Sequence, residues 1–217
     1  GEPLLVATGS KVRVAGAVLA SLSGGNELIL PHTGSPAVLE ELRDRHRLRF
    51  VLSGAPGSLP EGLQALPVEE ALPSGDAPCP GSVRDAEERF VRLFTGGSSG
   101  RPRVWDKTVR CLLGEAAFLA EHFQVGRRDV ILAAVTPRHI YGLLFTVLLP
   151  LVSGASVVET APRFPDEMEH AVKEYGATLF AGAPPHYRTL RGRKFEGHGL
   201  RLAVSSGGLL PQEDSLW

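Results

Sequence analysis

The sequence predicts an α/β protein built largely from parallel βαβ units. Short apolar runs alternate with segments whose apolar residues recur at helical spacing, which is the pattern of strands joined by crossover helices. The composition, 43% hydrophobic and 22% charged, is that of an ordinary globular chain. At 217 residues the chain can bury one sizeable core, or one and a half small ones.

Pro3–Thr8 reads as a buried strand and Lys11–Leu22 as a helix. Glu27–Leu30 is a strand closed by Pro31. Ser35 precedes Pro36, a residue suited to the first helical position, so a helix is expected from there to about Arg47, followed by strand Leu48–Leu52. Residues 54–81 are rich in Pro and Gly with little periodicity, as in a linker or surface excursion. This divides the chain into a first α/β segment, 1–53, and a second, 82–217.

In the second segment, Arg89–Thr95 alternates as a strand and enters a Gly/Ser loop. The next good helix begins near Asp106, with Thr108–Phe123 strongly amphipathic. Strand Val130–Val135, helix Ile140–Val152, strand Ala155–Glu159 and helix Asp166–Tyr175 follow. Strand Ala177–Ala181, a short helix Pro184–Leu190 and strand Leu200–Ser205 complete the alternation.

A net charge of −1 offers no general attraction to nucleic acid or an acidic membrane. The basic clusters Arg43–Arg49 and Arg188–Lys194 lack the interleaved aromatics that would stack on bases. Cys79 and Cys111 have no metal-site spacing, and two dispersed cysteines fit a reducing, cytoplasmic compartment. The most apolar run, Ile140–Val152, is too short for a membrane span and contains Pro150. Gly1-Glu2-Pro3 has neither the basic nor the apolar region of a signal peptide, and no initiator Met.

The chemistry concentrates in Phe94–Arg103, Phe-Thr-Gly-Gly-Ser-Ser-Gly-Arg-Pro-Arg. Glycines let backbone N–H groups converge on phosphate oxygens. The hydroxyls of Thr95, Ser98 and Ser99 add donors, and Arg103 adds a charge that can grip phosphate through two hydrogen bonds. The loop is no Walker motif, because only three residues separate Gly96 from Gly100 and no Lys-Ser/Thr pair follows. Gly96-Gly97-Ser98-Ser99-Gly100 formally fits the nucleophile elbow of a serine hydrolase with Ser98 as nucleophile. That elbow needs a helix starting almost at the serine, where Gly100 and Pro102 intervene, and its acid and base would come from Asp166 with His186 or His198.

The same stretch resembles the signature of the adenylate-forming superfamily: acyl-CoA synthetases, aryl-CoA ligases, luciferases and the adenylation domains of peptide synthetases. That signature is an aromatic residue followed by Thr-Ser-Gly-Ser/Thr-Thr-Gly-x-Pro-Lys. Phe94, Thr95, Gly97, Ser98, Gly100 and Pro102 match it; Ser99 replaces Thr, Gly96 replaces Ser and Arg103 replaces Lys. Thr136-Pro137-Arg138-His139-Ile140-Tyr141-Gly142 resembles the family's Pro-x-x-His-x-x-Gly segment beside the acyl pocket. Ser205-Ser206-Gly207-Gly208-Leu209-Leu210-Pro211 is similar to the Ser-Gly-Gly-Ala-Pro-Leu turn that lies against adenine.

The resemblance implies the large N-terminal domain of that family, incomplete at its C-terminal side. It implies that Thr95, Gly96, Gly97, Ser98, Ser99, Gly100 and Arg103 bind ATP phosphates. His139, Tyr141 and Gly142 would border the acyl pocket, and Gly207, Gly208 and Leu209 the adenine. The implied reaction joins a small-molecule carboxylic acid to AMP and then to coenzyme A or a phosphopantetheinyl carrier protein, using ATP and Mg2+. The family's magnesium-binding Glu, ribose-binding Asp and catalytic Lys have no counterpart before Trp217. No catalytic residue or metal ligand is therefore assigned, and this stretch alone is not expected to be active. The substitutions at Gly96 and Arg103 also admit a non-catalytic binding module with the same fold.

Overall fold

The computed structural model describes residues 2–54, 57, 59–66, 83–95, 103–193 and 198–215, with only the main chain of Thr95. The glycine-serine loop, 96–102, and residues 67–82 of the Pro/Gly-rich stretch, including Cys79, lie outside the described residues. By contacts the chain falls into two compact units: Gly1–Gly114 with Arg138–Ile140, and Glu115–Pro137 with Tyr141–Trp217.

The first unit is organised by β1 (Leu4–Ala7), α1 (Lys11–Leu22), β2 (Leu28–Leu30), α2 (Pro36–His46), β3 (Phe50–Ser53), β4 (Gln64–Ala65), β5 (Arg89–Thr95) and β6 (Arg103–Thr108). These strands form one sheet in the order β4-β3-β1-β2-β5-β6, parallel except for the antiparallel pair β5–β6. Ser10 caps α1 by accepting from the Arg13 N–H at 3.2 Å. Leu5, Ile29, Leu39, Leu42, Val51 and Phe94 make the core, joining the apolar face of α2 to the sheet. Because β1, β2 and β5 run parallel, their carboxyl ends lie at the same sheet edge, where α/β sheets hold ligands.

Two elements depart from expectation. Residues 103–108 form strand β6 where the sequence predicts the approach to a helix; the helix, α3 (Val109–His122), starts only afterwards. Hydrogen bonding to β5 decides this, with Leu93 opposite Trp105 and Thr95 opposite Arg103. Ion pairs reinforce it: Asp106 meets Arg92 at 2.8 Å and Arg89 at 3.1 Å, and Arg89 meets Glu27 at 2.9 Å. Within the expected excursion 54–81, Gln64–Ala65 add to β3 as the short edge strand β4.

The second unit carries β7 (Val130–Ala133), α4 (Ile140–Leu143, beginning one residue before the unit's second stretch), a π-helical stretch Leu144–Leu148, α5 (Leu149–Ser153), β8 (Ser156–Val157), α6 (Pro165–Tyr175), β9 (Leu179–Gly182), α7 (Pro184–Leu190) and β10 (Leu202–Ser205). Its sheet is parallel throughout, in the order β10-β9-β7-β8. Leu132, Met168, Val172, Phe180, Tyr187 and Leu190 pack together as its core. The buried Asp129 ties the edge down: it accepts from Arg201 at 2.9 Å, Thr178 at 2.8 Å and the Gly126 N–H at 2.9 Å. Arg201 also donates to the Phe123 and Gln124 carbonyls at 2.9 Å, so one guanidinium closes the end of α3 over β10.

Candidate functional site

In the first unit, Thr95 ends β5 and Arg103 opens β6 directly opposite it, so the loop 96–102 bridges two paired residues of a hairpin. The predicted positions Gly96, Gly97, Ser98, Ser99 and Gly100 fall within that undescribed loop. Arg103 is exposed at its far side. The hairpin has a firm base: partial desolvation raises the pKa of the exposed Asp106, yet Arg92 and Arg89 hold the carboxyl below its ordinary value.

His139 is brought beside Arg138 and His32, the latter in the loop after β2. Partial burial of the ring lowers its pKa first, and the positive charges of Arg138 and His32 lower it further. The Arg138 guanidinium lies against Gly34, where an added β-carbon would stand 3.1 Å from Nη1. Pro137 sits one residue nearer to His139 than in the family segment, with Thr136 in the usual proline place, so only the His-x-x-Gly half keeps register. Next to His139, Ile140 lines a mainly apolar cavity of about 260 Å³ with Leu93, Trp105 and the Lys107 stem. Trp105, half exposed, escaped the sequence reading because β6 itself was not foreseen.

In the second unit, Gly142 is buried against the chain bend at Thr136-Pro137, so closely that a β-carbon would overlap the Thr136 carbonyl. Tyr141 donates its hydroxyl to the Val204 carbonyl at 2.6 Å, and burial pushes its pKa up. Val204 lies in β10, just before the turn 206–209. There Ser206 donates to the Gly182 carbonyl at 3.3 Å, and Gly207 has φ 93°, a conformation suited to glycine. A β-carbon on Gly208 would stand 3.6 Å from Pro184, and Leu209 is 89% exposed. The turn thus presents its main chain and an uncovered apolar side chain. Ser205 Oγ is buried and has no hydrogen-bond partner among the described residues.

The groups a serine hydrolase would need are occupied otherwise. Asp166 pairs with Arg193. His186 Nδ1 accepts from the Ala183 N–H at 2.9 Å, capping α7, and His198 Nδ1 accepts from the Leu200 N–H at 3.1 Å.

Each unit is thus built on a largely or wholly parallel α/β sheet, the class of fold that carries ligands at the carboxyl ends of its strands. The chain belongs to the AMP-binding enzyme family, whose model matches residues 11–216. It is 31% identical over 159 residues to acetyl-coenzyme A synthetase 2 of Pseudomonas aeruginosa, covering 68% of this chain and 25% of that protein. It is also 31% identical over 125 residues to sulfoacetate–CoA ligase of Cupriavidus necator, covering 58% and 23%. Among solved structures, the fold resembles a malonyl-CoA ligase in ternary product complex with methylmalonyl-CoA and AMP (TM-score 0.79, 24% identity, 99% of this chain and 48% of that one). It resembles a benzoate CoA ligase from Burkholderia xenovorans comparably (TM-score 0.79, 22% identity, 98% and 47%). The chain thus spans about half the length of these structures, and its match covers about a quarter of the curated relatives.

Proposed function

We propose that this chain forms part of an ATP-dependent ligase that adenylates a carboxylic acid and passes the acyl group to a thiol. The observation carrying this reading is the family match over residues 11–216, with three signature-like segments in family order inside it. A carboxylate oxygen attacks the α-phosphorus of ATP, the bond to the β-phosphate oxygen breaks, and pyrophosphate leaves with its electron pair. The thiolate of coenzyme A or a carrier-protein phosphopantetheine then attacks the acyl carbon and expels AMP. Thr95, Gly96, Gly97, Ser98, Ser99, Gly100 and Arg103 are the residues assigned to the β- and γ-phosphates.

His139, Tyr141 and Gly142 are assigned to the acyl border and Gly207, Gly208 and Leu209 to adenine. The apolar cavity beside Ile140 offers room for a small acyl group. Among the described residues no cluster of His, Cys, Asp or Glu forms a metal-ligand set, and Mg2+ is assigned as the companion of ATP with its protein ligand expected beyond Trp217. A cytoplasmic setting fits this chemistry, and no described helix is long and apolar enough to cross a membrane.

The deciding experiment is ATP–pyrophosphate exchange by the complete gene product with a panel of acetate, malonate, sulfoacetate and benzoate. Exchange that depends on one of these acids supports the reading. ATP binding without exchange on a broadened acid panel would instead establish a non-catalytic module. Fluorophosphonate labelling of Ser98 would point to hydrolase chemistry.

A further inference from the structure

Two phenol hydroxyls from different elements donate to one carbonyl oxygen. Tyr141 in α4 reaches Val204 O at 2.6 Å, and Tyr187 in α7 reaches the same atom at 2.7 Å. A carbonyl oxygen has two lone pairs, so both donors are accommodated. Tyr187 also lies 3.4 Å from the Phe180 carbonyl. The aromatic rings are fixed independently of their hydroxyls: Tyr141 meets Phe145 edge-on at 5.1 Å, and Tyr187 meets Phe180 at 5.6 Å.

Val204 occupies a consequential place. It pairs with Ala181 in β9, and the next main-chain anchor is the Ser206 N–H on Gly182 O. Beyond it Gly207 takes its left-handed turn and Gly208 faces Pro184, the first residue of α7. The turn 206–209 therefore hangs from the end of β9, from α7 and from Tyr141. Tyr141 itself adjoins Gly142, which is pinned against Thr136.

We infer that Tyr141 and Tyr187 are positioning residues whose shared hold on Val204 sets the 206–209 turn, and that Tyr141 links the acyl-side segment to that nucleotide-side turn. The inference rests on the nucleotide reading of the turn proposed above. A loss of the hydroxyl leaves each ring in place while freeing one constraint on the carbonyl.

The test is exchange kinetics on the complete gene product with Tyr141→Phe, Tyr187→Phe and, as control, Tyr175→Phe, whose side chain is exposed on α6. The KM for ATP is expected to rise about three- to tenfold in each of the first two, the equivalent of one neutral hydrogen bond. For Tyr187→Phe the maximal rate should stay within about twofold. Tyr141→Phe alone should also raise the KM for the acid, and Tyr175→Phe should change nothing. In wild-type protein labelled with 3-fluorotyrosine, the resonances of Tyr141 and Tyr187 should move when AMP is added.

Unchanged KM for ATP in both variants, or stationary resonances at saturating AMP, would overturn the inference even if exchange is robust. If Tyr187→Phe fails to fold, Tyr141→Phe and the fluorine spectrum still decide. Wild-type protein that neither binds AMP nor exchanges pyrophosphate would instead remove the nucleotide reading, and the inference with it.

Discussion

Gly142 and the Thr136 carbonyl approach each other so closely that no β-carbon fits between them. The residue lies in α4, and the bend at Thr136-Pro137 crosses over it, with Pro137 N 3.2 Å from where the β-carbon would be. Both sides of the contact are backbone, so no flexible side chain can yield. Gly142→Ala should cost roughly 3 kcal/mol through forced main-chain displacement. Urea denaturation of the variant would show this as a lowered midpoint with an unchanged slope. Glycine at this place is thus a packing requirement, whatever its bearing on the acid.

A second prediction concerns acid stability. Hydrogen bonds from Arg201 hold the Asp129 pKa at about 2, with Gly126 and Thr178 assisting against the cost of burial. A carboxyl whose folded pKa lies below its unfolded value stabilises the fold above the unfolded pKa, and the stabilisation is lost as pH falls toward the folded value. Asp129 should therefore contribute roughly 2 kcal/mol at neutral pH, lost between about pH 4 and pH 2. Asp129→Asn should lower the melting temperature at pH 7, and the gap from wild type should close by pH 2.

Arg103 is exposed, and its replacement should leave folding within about 0.5 kcal/mol of wild type. If it grips ATP phosphate, Arg103→Ala should weaken ATP binding at least about tenfold, with a reduced dependence on salt. Arg103→Lys should recover part of the loss, since charge returns without the two-pronged geometry. Titration calorimetry at two ionic strengths measures all three.

Ser205 poses the opposite case. Its hydroxyl is buried without a hydrogen-bond partner among the described residues, so the group carries a desolvation cost that none of them offsets. Ser205→Ala should be neutral or stabilising by about 1 kcal/mol in thermal denaturation. A marked loss would mean that the hydroxyl has a partner when the protein is at work.

The alternation of strands and helices was readable because each βαβ unit buries its own periodic face: α1 and α7 begin and end where the pattern places them. Strand β6 was not readable, since Arg103-Val104-Trp105-Asp106-Lys107-Thr108 has exposed residues on both faces and is defined by pairing with β5. With β6 went the Trp105 cavity, whose walls come from β5, β6 and the start of α4. The His-x-x-Gly and Ser-Gly-Gly patterns single out two short segments but give no sign that a phenol at 141 bonds a carbonyl at 204. Such a contact depends on which strand lies at the sheet edge, and local pattern does not carry that. His32 beside His139 escaped notice for the same reason, being over a hundred positions away in sequence.

Between Gly142 and Pro150 the helix passes through the π-helical stretch, where the Leu149 N–H reaches back to Leu144 O, and Thr146 Oγ1 bonds the Gly142 carbonyl at 2.6 Å. A π-helical turn holds one residue more than an α-helical turn needs. Deleting a residue there would restore regular winding, yet rotate everything on one side by roughly 100° relative to the other. Tyr141 would swing off Val204, and the apolar residues at 144–149 would turn from their buried side. The spacing from 142 to 150 thus works as a phase lock, so single-residue insertions and deletions in this span should be far less tolerated than substitutions.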